Sequence, residues 1–380
     1  MRLKNRYSTA LILSTVLLAT FLFNEFLIYY VTISFACRWP KLVKTSKPVY
    51  HIFIISDLHL LGIYRGHWFD KLRREWQIYR SFQSATHLLS PNAVFFLGDQ
   101  FDEGLLGPDE VFEMYASRFD SLMKVPSRIQ RYVLVGNHDI GFHNEISPWR
   151  LNRFVNKYNT TFVSHATIGN NHFVLINSMA MERDGCQLCR QAEKELDILQ
   201  KKLQCISDLN CNKNSDILYT PPILLQHFPL FRRDDSHCGD DPDTAPLSAR
   251  SEKFREKLDC LSADATDRLL KAVKPRAVFD GHIHFGCKTW WPKPYSVWEW
   301  TVPSFSWRNT PQPGFMLLSV AEDELLVSKC LLPNELTVIA LYTIVGILCL
   351  VYAVYVTYRS CCLKKRRLHP TYQLLTGKFD

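Results

Sequence analysis

Two long apolar runs bracket the chain. The first, residues 10–36, reads ALILSTVLLATFLFNEFLIYYVTISFA, and the second, residues 336–358, reads LTVIALYTIVGILCLVYAVYVTY. A helix needs about 20 mostly apolar residues to cross the hydrocarbon core, and both runs are long enough. The second has no charged residue. The first carries Asn24 and Glu25 near its middle, and Ser34-Phe35-Ala36 leaves a cleaved signal peptide as the alternative to a retained span. Between the runs the pattern changes. Short stretches rich in β-branched and aromatic residues predict strands at residues 49–56, 93–97, 132–135, 172–177, 223–226, 277–280 and 315–320. Amphipathic stretches predict helices at residues 70–89, at 109–123 with Pro108 as the start signal, at 190–203 and within 252–273. Residues 37–48 read as a linker, and no repeat or low-complexity segment is evident. Strands alternating with helices make the intervening domain, residues 49–332, an α/β fold.

Charge sets the orientation. The net charge of +8 over 380 residues is concentrated outside the apolar runs, in Arg2, Lys4 and Arg6 and in Lys364, Lys365, Arg366 and Arg367. This suits the flanks of membrane spans, not a nucleic-acid face, which would stripe the domain itself; no nucleic-acid partner is expected. Cationic flanks stay cytoplasmic. Residues 1–9 and the basic tail 359–380 are therefore expected in the cytoplasm, and residues 49–332 in the lumen or outside the cell. A cleaved signal leaves that domain on the same side. Of 12 cysteines, eight (Cys186, Cys189, Cys205, Cys211, Cys238, Cys260, Cys287 and Cys330) lie in the intervening region. An even number there suits a disulfide framework whose pairing the sequence leaves open. The spacing Cys186-Gln187-Leu188-Cys189 fits redox chemistry, zinc or a structural disulfide, and the lack of a second pair at finger spacing favours the last. Cys361 and Cys362 are palmitoylation candidates, and Asn159-Thr160-Thr161 is a glycosylation acceptor.

The chemistry gathers at strand ends. The first predicted strand finishes on Asp57-Leu58-His59 and the second on Gly98-Asp99-Gln100-Phe101-Asp102. The third leads to Gly136-Asn137-His138-Asp139, a later one to His227, and another to Asp280-Gly281-His282-Ile283-His284. Singly, each is an ordinary turn or cap. Recurring at successive strand ends, they converge, because open α/β sheets bind ligands beyond the carboxyl ends of their strands. His51, His67, His87, His143, His165, His172, His237 and His369 lack this context and read as structural or surface groups. Carboxylates, imidazoles and one carboxamide, with no thiolate, suit Mn, Fe or Zn. Seven such ligands are too many for one ion and suit two, bridged by a shared carboxylate, a pairing that activates water and holds phosphate oxygens. Phosphoester hydrolysis is the expected reaction.

The segments SDLHL, GDQFDEG, GNHD, QHFPL and GHIH, in this order over about residues 50–286, resemble the calcineurin-like metallophosphoesterase superfamily. The resemblance implies a four-layer α/β/β/α sandwich, here with a transmembrane helix at each end. It implies that Asp57, His59 and His284 hold one metal, that Asn137, His227 and His282 hold the other, and that Asp99 bridges them. His138 would face the substrate, and Asp102 would orient and charge its imidazole. Gln226 stands where many members have glycine, while His227-Phe228-Pro229 fits. The two spans, with HWFDKLRREWQ and GNHDIGFH, are similar to the branch of ethanolamine-phosphate phosphodiesterases that remodel GPI anchors. That branch implies removal of the side group on the second mannose, with manganese favoured over iron or zinc. It also implies GPI-anchored proteins as substrates and cargo-sorting machinery at ER exit as a partner. The location it implies is the ER exit sites, the ER–Golgi intermediate compartment and the Golgi. Trp290, Trp291, Trp298, Trp300 and Trp307 crowd the stretch after His284, which fits sugar stacking, a membrane interface or plain packing. A lumenal nucleotidase or lipid phosphodiesterase is the enzymatic alternative. A non-catalytic cargo-binding module is disfavoured because it expects a lost ligand or a replaced His138.

Overall fold

The structure is a computed structural model that describes residues 2–208 and 219–375, with side chains over 7–208 and 219–361. Cys211, Cys362 and the basic cluster of the tail lie outside the residues whose side chains are described. The chain forms two compact units, Tyr29–Leu332 and the two ends, Met1–Ile28 with Pro333–Asp380.

The larger unit is built on two sheets. In the first, β1 (Tyr50–Ile55), β2 (Ala93–Phe96) and β3 (Gln130–Val133) run parallel, and the antiparallel pair β10 (Gly314–Val320) and β11 (Leu325–Leu331) extends the other side of β1. In the second, β5 (Asn171–Ile176), β6 (Ile223–Leu225), β7 (Ala277–Asp280) and β9 (Val297–Thr301) run parallel between antiparallel edges β4 (Val163–Ile168) and β8 (Cys287–Trp291). Side-chain alternation along each strand divides two cores. Ile52, Ile54, Phe95, Phe173, Leu225, Phe279 and Leu318 meet between the sheets, where Phe95 stacks on Phe173 at 4.9 Å. Phe53, Ile55 and Phe96 face the other way, under Phe82 of α3 (Trp68–Leu89) and Phe119 of α4 (Asp109–Leu122). Val174, Leu224 and Val278 join Leu196 of α7 (Gln187–Ser207) and Leu269 of α9 (Ala263–Val273). Strands buried on both faces read as unbroken apolar runs, which is why they were legible. The result is the expected four-layer α/β/β/α sandwich.

Several boundaries differ from expectation. α3 begins at Trp68 because His67 caps it, its ring nitrogen accepting the Phe69 N–H at 3.3 Å. Residues 252–262 are loop, and α9 starts only after the Ser262 cap. α5 (Asn137–Ile140), α6 (Pro148–Tyr158), α8 (Leu247–Arg250), β4, β8, β9 and β11 were not anticipated. The tryptophan-rich stretch is the β8–β9 hairpin: Trp300 stacks on Phe279 at 5.2 Å, and Trp290 and Trp298 pair at 4.9 Å on the exposed side.

The disulfides are Cys37–Cys330, Cys186–Cys189 and Cys238–Cys287; Cys205 is also bonded, and Cys260 is a buried free thiol. The expected framework thus changes membership, since Cys37 enters it and Cys260 leaves.

The smaller unit holds α1 (Arg2–Leu22), a π-helical turn, Phe23–Leu27, and α10 (Glu335–Leu375); α2 (Ile28–Ala36), which continues from the turn, belongs to the larger unit from Tyr29 on. α10 therefore continues past residue 358 into the segment expected to be a tail. Tyr7–Ala36 and Glu335–Cys361 are long and apolar enough to cross a membrane. Glu25, the charge inside the first run, accepts a hydrogen bond from the Tyr342 hydroxyl at 2.7 Å, the kind of partner an acid within an apolar span requires.

The inter-sheet core should be the sensitive one. Phe95→Ala is expected to cost about 3–5 kcal/mol, whereas Trp290→Ala, on the exposed hairpin, should shift thermal unfolding of the detergent-solubilised chain far less. Equal shifts would place the main core elsewhere.

Candidate metal centre

Five chain segments leave the strands at the same end and are tied to one another. The His59 N–H donates to the Asp99 carbonyl (3.0 Å), the Gly281 N–H to that of His227 (2.9 Å), and the Ser304 N–H to that of His284 (2.9 Å). The Ser304 hydroxyl donates to the Asp57 carbonyl at 2.7 Å. The glycines beside the donors allow this closeness. A Cβ on Gly136 would overlap the Asp99 carboxylate, and one on Gly281 would overlap Ser56 Oγ and Asp57 Oδ2. The backbone is also strained. Asp57, His59, Asp99, His282 and His284 all have positive φ, between 47° and 70°. Non-glycine residues adopt this region at a cost, and such strain clusters at functional sites.

All nine residues singled out from the sequence come together here. Asp57, His59, Asp99, Asn137 and His227 are almost fully buried, while His138, His282 and His284 are half-buried. The donor atoms form overlapping groups: Asp57 with His59 and His284, Asp99 with His227 and His282, and, between them, Asp99 and His59 with His138. Asn137 Oδ1 lies 3.0 Å from His227 Nε2. Asp99 Oδ2 sits between the sets, 3.4 Å from both His59 Nε2 and His227 Nε2.

Do these groups fit metal ions? Each carboxylate uses one oxygen on backbone: Asp57 Oδ2 accepts the His282 N–H (3.0 Å) and Asp99 Oδ1 the His138 N–H (2.8 Å). The other oxygens, Asp57 Oδ1 and Asp99 Oδ2, are buried without a hydrogen bond. His59 Nε2 and His284 Nε2 face each other at 3.1 Å. The far ring nitrogens are already fixed: His59 Nδ1 by Asp102 (3.2 Å), His227 Nδ1 by the Leu97 carbonyl (3.1 Å) and His282 Nε2 by the Leu258 carbonyl (2.8 Å). Orphaned carboxylate oxygens facing imidazoles held from behind are the arrangement that divalent cations complete. The donor set fits two such ions.

Electrostatics agree. Burial pushes the Asp99 carboxyl up, but the facing His227 and His59 outweigh it and hold it well below its usual value. Burial drives the His282 imidazole down to about 3 and that of His284 to about 4, so both are neutral and able to ligate.

One expected contact is corrected. The Asp102 carboxylate does not reach His138; it contacts His59 Nδ1, and its second oxygen lies 3.6 Å from Arg308. The Asp102 backbone carbonyl meets His138 Nδ1 at 3.1 Å. The reason is the short turn after β2, which aims the side chain at the nearer imidazole. Two residues here, Ser304 and Arg308, escaped sequence reasoning, and a third, Asp139, was named in its motif without a role. Asp139 accepts the Gly136 (2.8 Å) and Phe101 (3.1 Å) N–H groups and pins two of the loops. Ser304 braces Asp57, and Arg308 is the exposed cation at the rim. The signal for Asp139 was its place in the GNHD segment; nothing marked the other two.

The model of the calcineurin-like phosphoesterase family matches residues 50–286. The chain belongs to the calcineurin-like phosphoesterase family. A metallophosphoesterase 1 from Rattus norvegicus is 40% identical over 350 residues, covering 90% of this chain and 87% of its own. That of Cricetulus griseus is 42% identical, covering 87% and 85%, and that of Danio rerio is 42% identical, covering 85% and 86%. The family membership and the cluster described above make this protein a metal-dependent phosphoesterase.

Because Asp99 stands between the two donor sets, Asp99→Asn should empty both. Metal analysis of the purified variant is expected to show loss of both ions with circular dichroism unchanged. Full occupancy in that variant would remove Asp99 from its central position.

Proposed function

We propose that the protein hydrolyses the phosphodiester linking ethanolamine to the second mannose of GPI anchors, with manganese in its two sites. Asp57, His59 and His284 would hold one ion, and Asn137, His227 and His282 the other, with Asp99 between. The observation that carries the phosphodiesterase reading is the pair of donor sets meeting at Asp99 Oδ2, with a buried histidine 3.4 Å away on each side. The GPI substrate is supported by the resemblance of HWFDKLRREWQ and the two apolar ends to that branch of the family. GPI-anchored proteins are then the substrates and cargo-sorting machinery at ER exit the partner. The site lies in the lumen of the early secretory pathway, from ER exit sites to the Golgi, as the basic residues outside both apolar runs suggest.

When bound, the ions supply Lewis acidity and an activated water. The chain supplies the rest. His138, turned by the Asp102 carbonyl on Nδ1, keeps Nε2 free to give a proton to the departing mannose oxygen. Its Asp99-bound N–H fixes the base of that side chain. Arg308, ion-paired to Asp102 yet exposed, is placed to donate to a non-bridging phosphate oxygen. The Asp102 carboxylate orients His59 and steadies Arg308.

His138→Ala should keep both metals and lose turnover by about 10²–10⁴-fold. Arg308→Ala should lower kcat/KM by roughly 10–100-fold, the worth of one charged hydrogen bond. Metal loss in the first variant, or normal kinetics in the second, would show that these roles are misplaced.

The substrate itself is read from GPI glycans by mass spectrometry. Cells lacking the protein should retain the side phosphate on the second mannose and export GPI-anchored proteins slowly, and His138→Ala should rescue neither. Unchanged glycan masses would refute this substrate, and assays on nucleotides and phospholipids would then identify another. Asn159 is exposed, so Asn159→Gln should abolish a glycosidase-sensitive shift if the domain is lumenal.

A further inference from the structure

Outside the metal donors, a second cluster gathers His143, Asp184, Cys186 and Cys189, whose ligand-type atoms lie within 4.8 Å of one another. The two cysteines form a disulfide across the start of α7. Cys186 is the half-exposed N-cap and Cys189 is buried. Cys186 Sγ accepts the Cys189 N–H at 2.9 Å. Behind the buried sulfur stands His143, with Nδ1 at 3.9 Å from Cys189 Sγ and 2.9 Å from the Met179 carbonyl. Its Nε2 lies 2.6 Å from Asp184 Oδ2. Both ring nitrogens face acceptors. Asp184 is itself anchored by the Cys186 N–H (3.2 Å) and Lys257 Nζ (3.2 Å).

We infer that Cys186–Cys189 is a thiol–disulfide exchange site that takes a dithiol as its reaction partner. This is independent of the phosphoesterase substrate. A disulfide gains stability chiefly from the length of loop it closes. This one spans three residues, against sequence separations of 293 for Cys37–Cys330 and 49 for Cys238–Cys287. It is therefore the least protected of the three. The positions divide the labour. A thiolate of the partner attacks the accessible Cys186 sulfur and forms a mixed disulfide. The Cys186–Cys189 bond breaks, and Cys189 leaves as a thiolate beside the His143 ring, whose Nδ1 proton is the nearest it can take. The partner's second thiolate then attacks its own sulfur in the mixed disulfide and releases Cys186, whose thiolate the first turn of α7 stabilises. The partner loses two electrons and becomes a disulfide; the pair gains them and becomes two thiols. Asp184 is the positioning residue, holding Nε2 so that Nδ1 faces the sulfur.

The test uses the full chain in detergent, titrated with reduced and oxidised dithiothreitol and quenched by alkylation for mass spectrometry. Cys186 and Cys189 are expected to take up label at dithiothreitol ratios that leave Cys37–Cys330 and Cys238–Cys287 intact. With glutathione disulfide as probe, Cys189→Ser should trap a mixed disulfide on Cys186, and Cys186→Ser should trap none. His143→Gln should slow exchange on the order of 10²-fold, as loss of a positioned proton donor does, with the phosphoesterase rate kept as the sign of an intact fold. Reduction of the pair only together with the other two bonds would make it a structural staple and overturn the inference. Reduced protein that holds one zinc ion on these groups and no longer exchanges would overturn it as well.

Discussion

Two carboxylates with an unanswered charge govern this molecule. Asp57 and Asp99 are buried, and each leaves one oxygen without a hydrogen bond. An isolated buried charge costs several kcal/mol, and a protein tolerates it only where a counter-charge is supplied. His59 and His227 sit against those oxygens, and burial, which would push both imidazoles down, is outweighed by the carboxylates. Cations belong in that gap, and the surrounding scaffold keeps it open. The two sheets deliver the donors, the glycines let backbone close in, and Ser304 and Asp139 hold the loops so that the charges cannot swing out to water.

The same constraint explains the asymmetry of the sandwich. The core between the sheets is built from apolar side chains, with aromatic rings stacked across it. The metal donors sit at one end of the strands. There five donor residues take a backbone conformation that few side chains adopt willingly. The cores are the reservoir of stability on which that strained end draws. Rigidity is useful here, since donors placed on short turns directly after strands are held more firmly than donors on long loops.

Much of this was legible because it was local. A strand buried on both faces writes an apolar run, and a metal donor at its end writes a polar interruption, so β1, β2, β6 and β7 announced both fold and site. β4 and the β8–β9 hairpin were missed because they carry a histidine, a lysine and tryptophans, which blur the alternation. The wrong partner for Asp102 has a different origin. Proximity in a motif places the backbone, but the carboxylate meets His59 while the carbonyl meets His138. Arg308 and Ser304 reach the site from a loop far along the chain, and no spacing rule connects them to Asp57. Likewise His143 read as an unremarkable histidine until folding set it behind Cys189, 46 residues on.

The bond between Cys37 and Cys330 bears on mechanics. Its two Cα atoms are 4.7 Å apart although 293 positions separate them in sequence. The polypeptide enters and leaves the catalytic unit at nearly one point, and that point is covalent. Tension applied through the two apolar ends would pass from one sulfur to the other. The sheets, and the strained donors they carry, would stay outside the line of force.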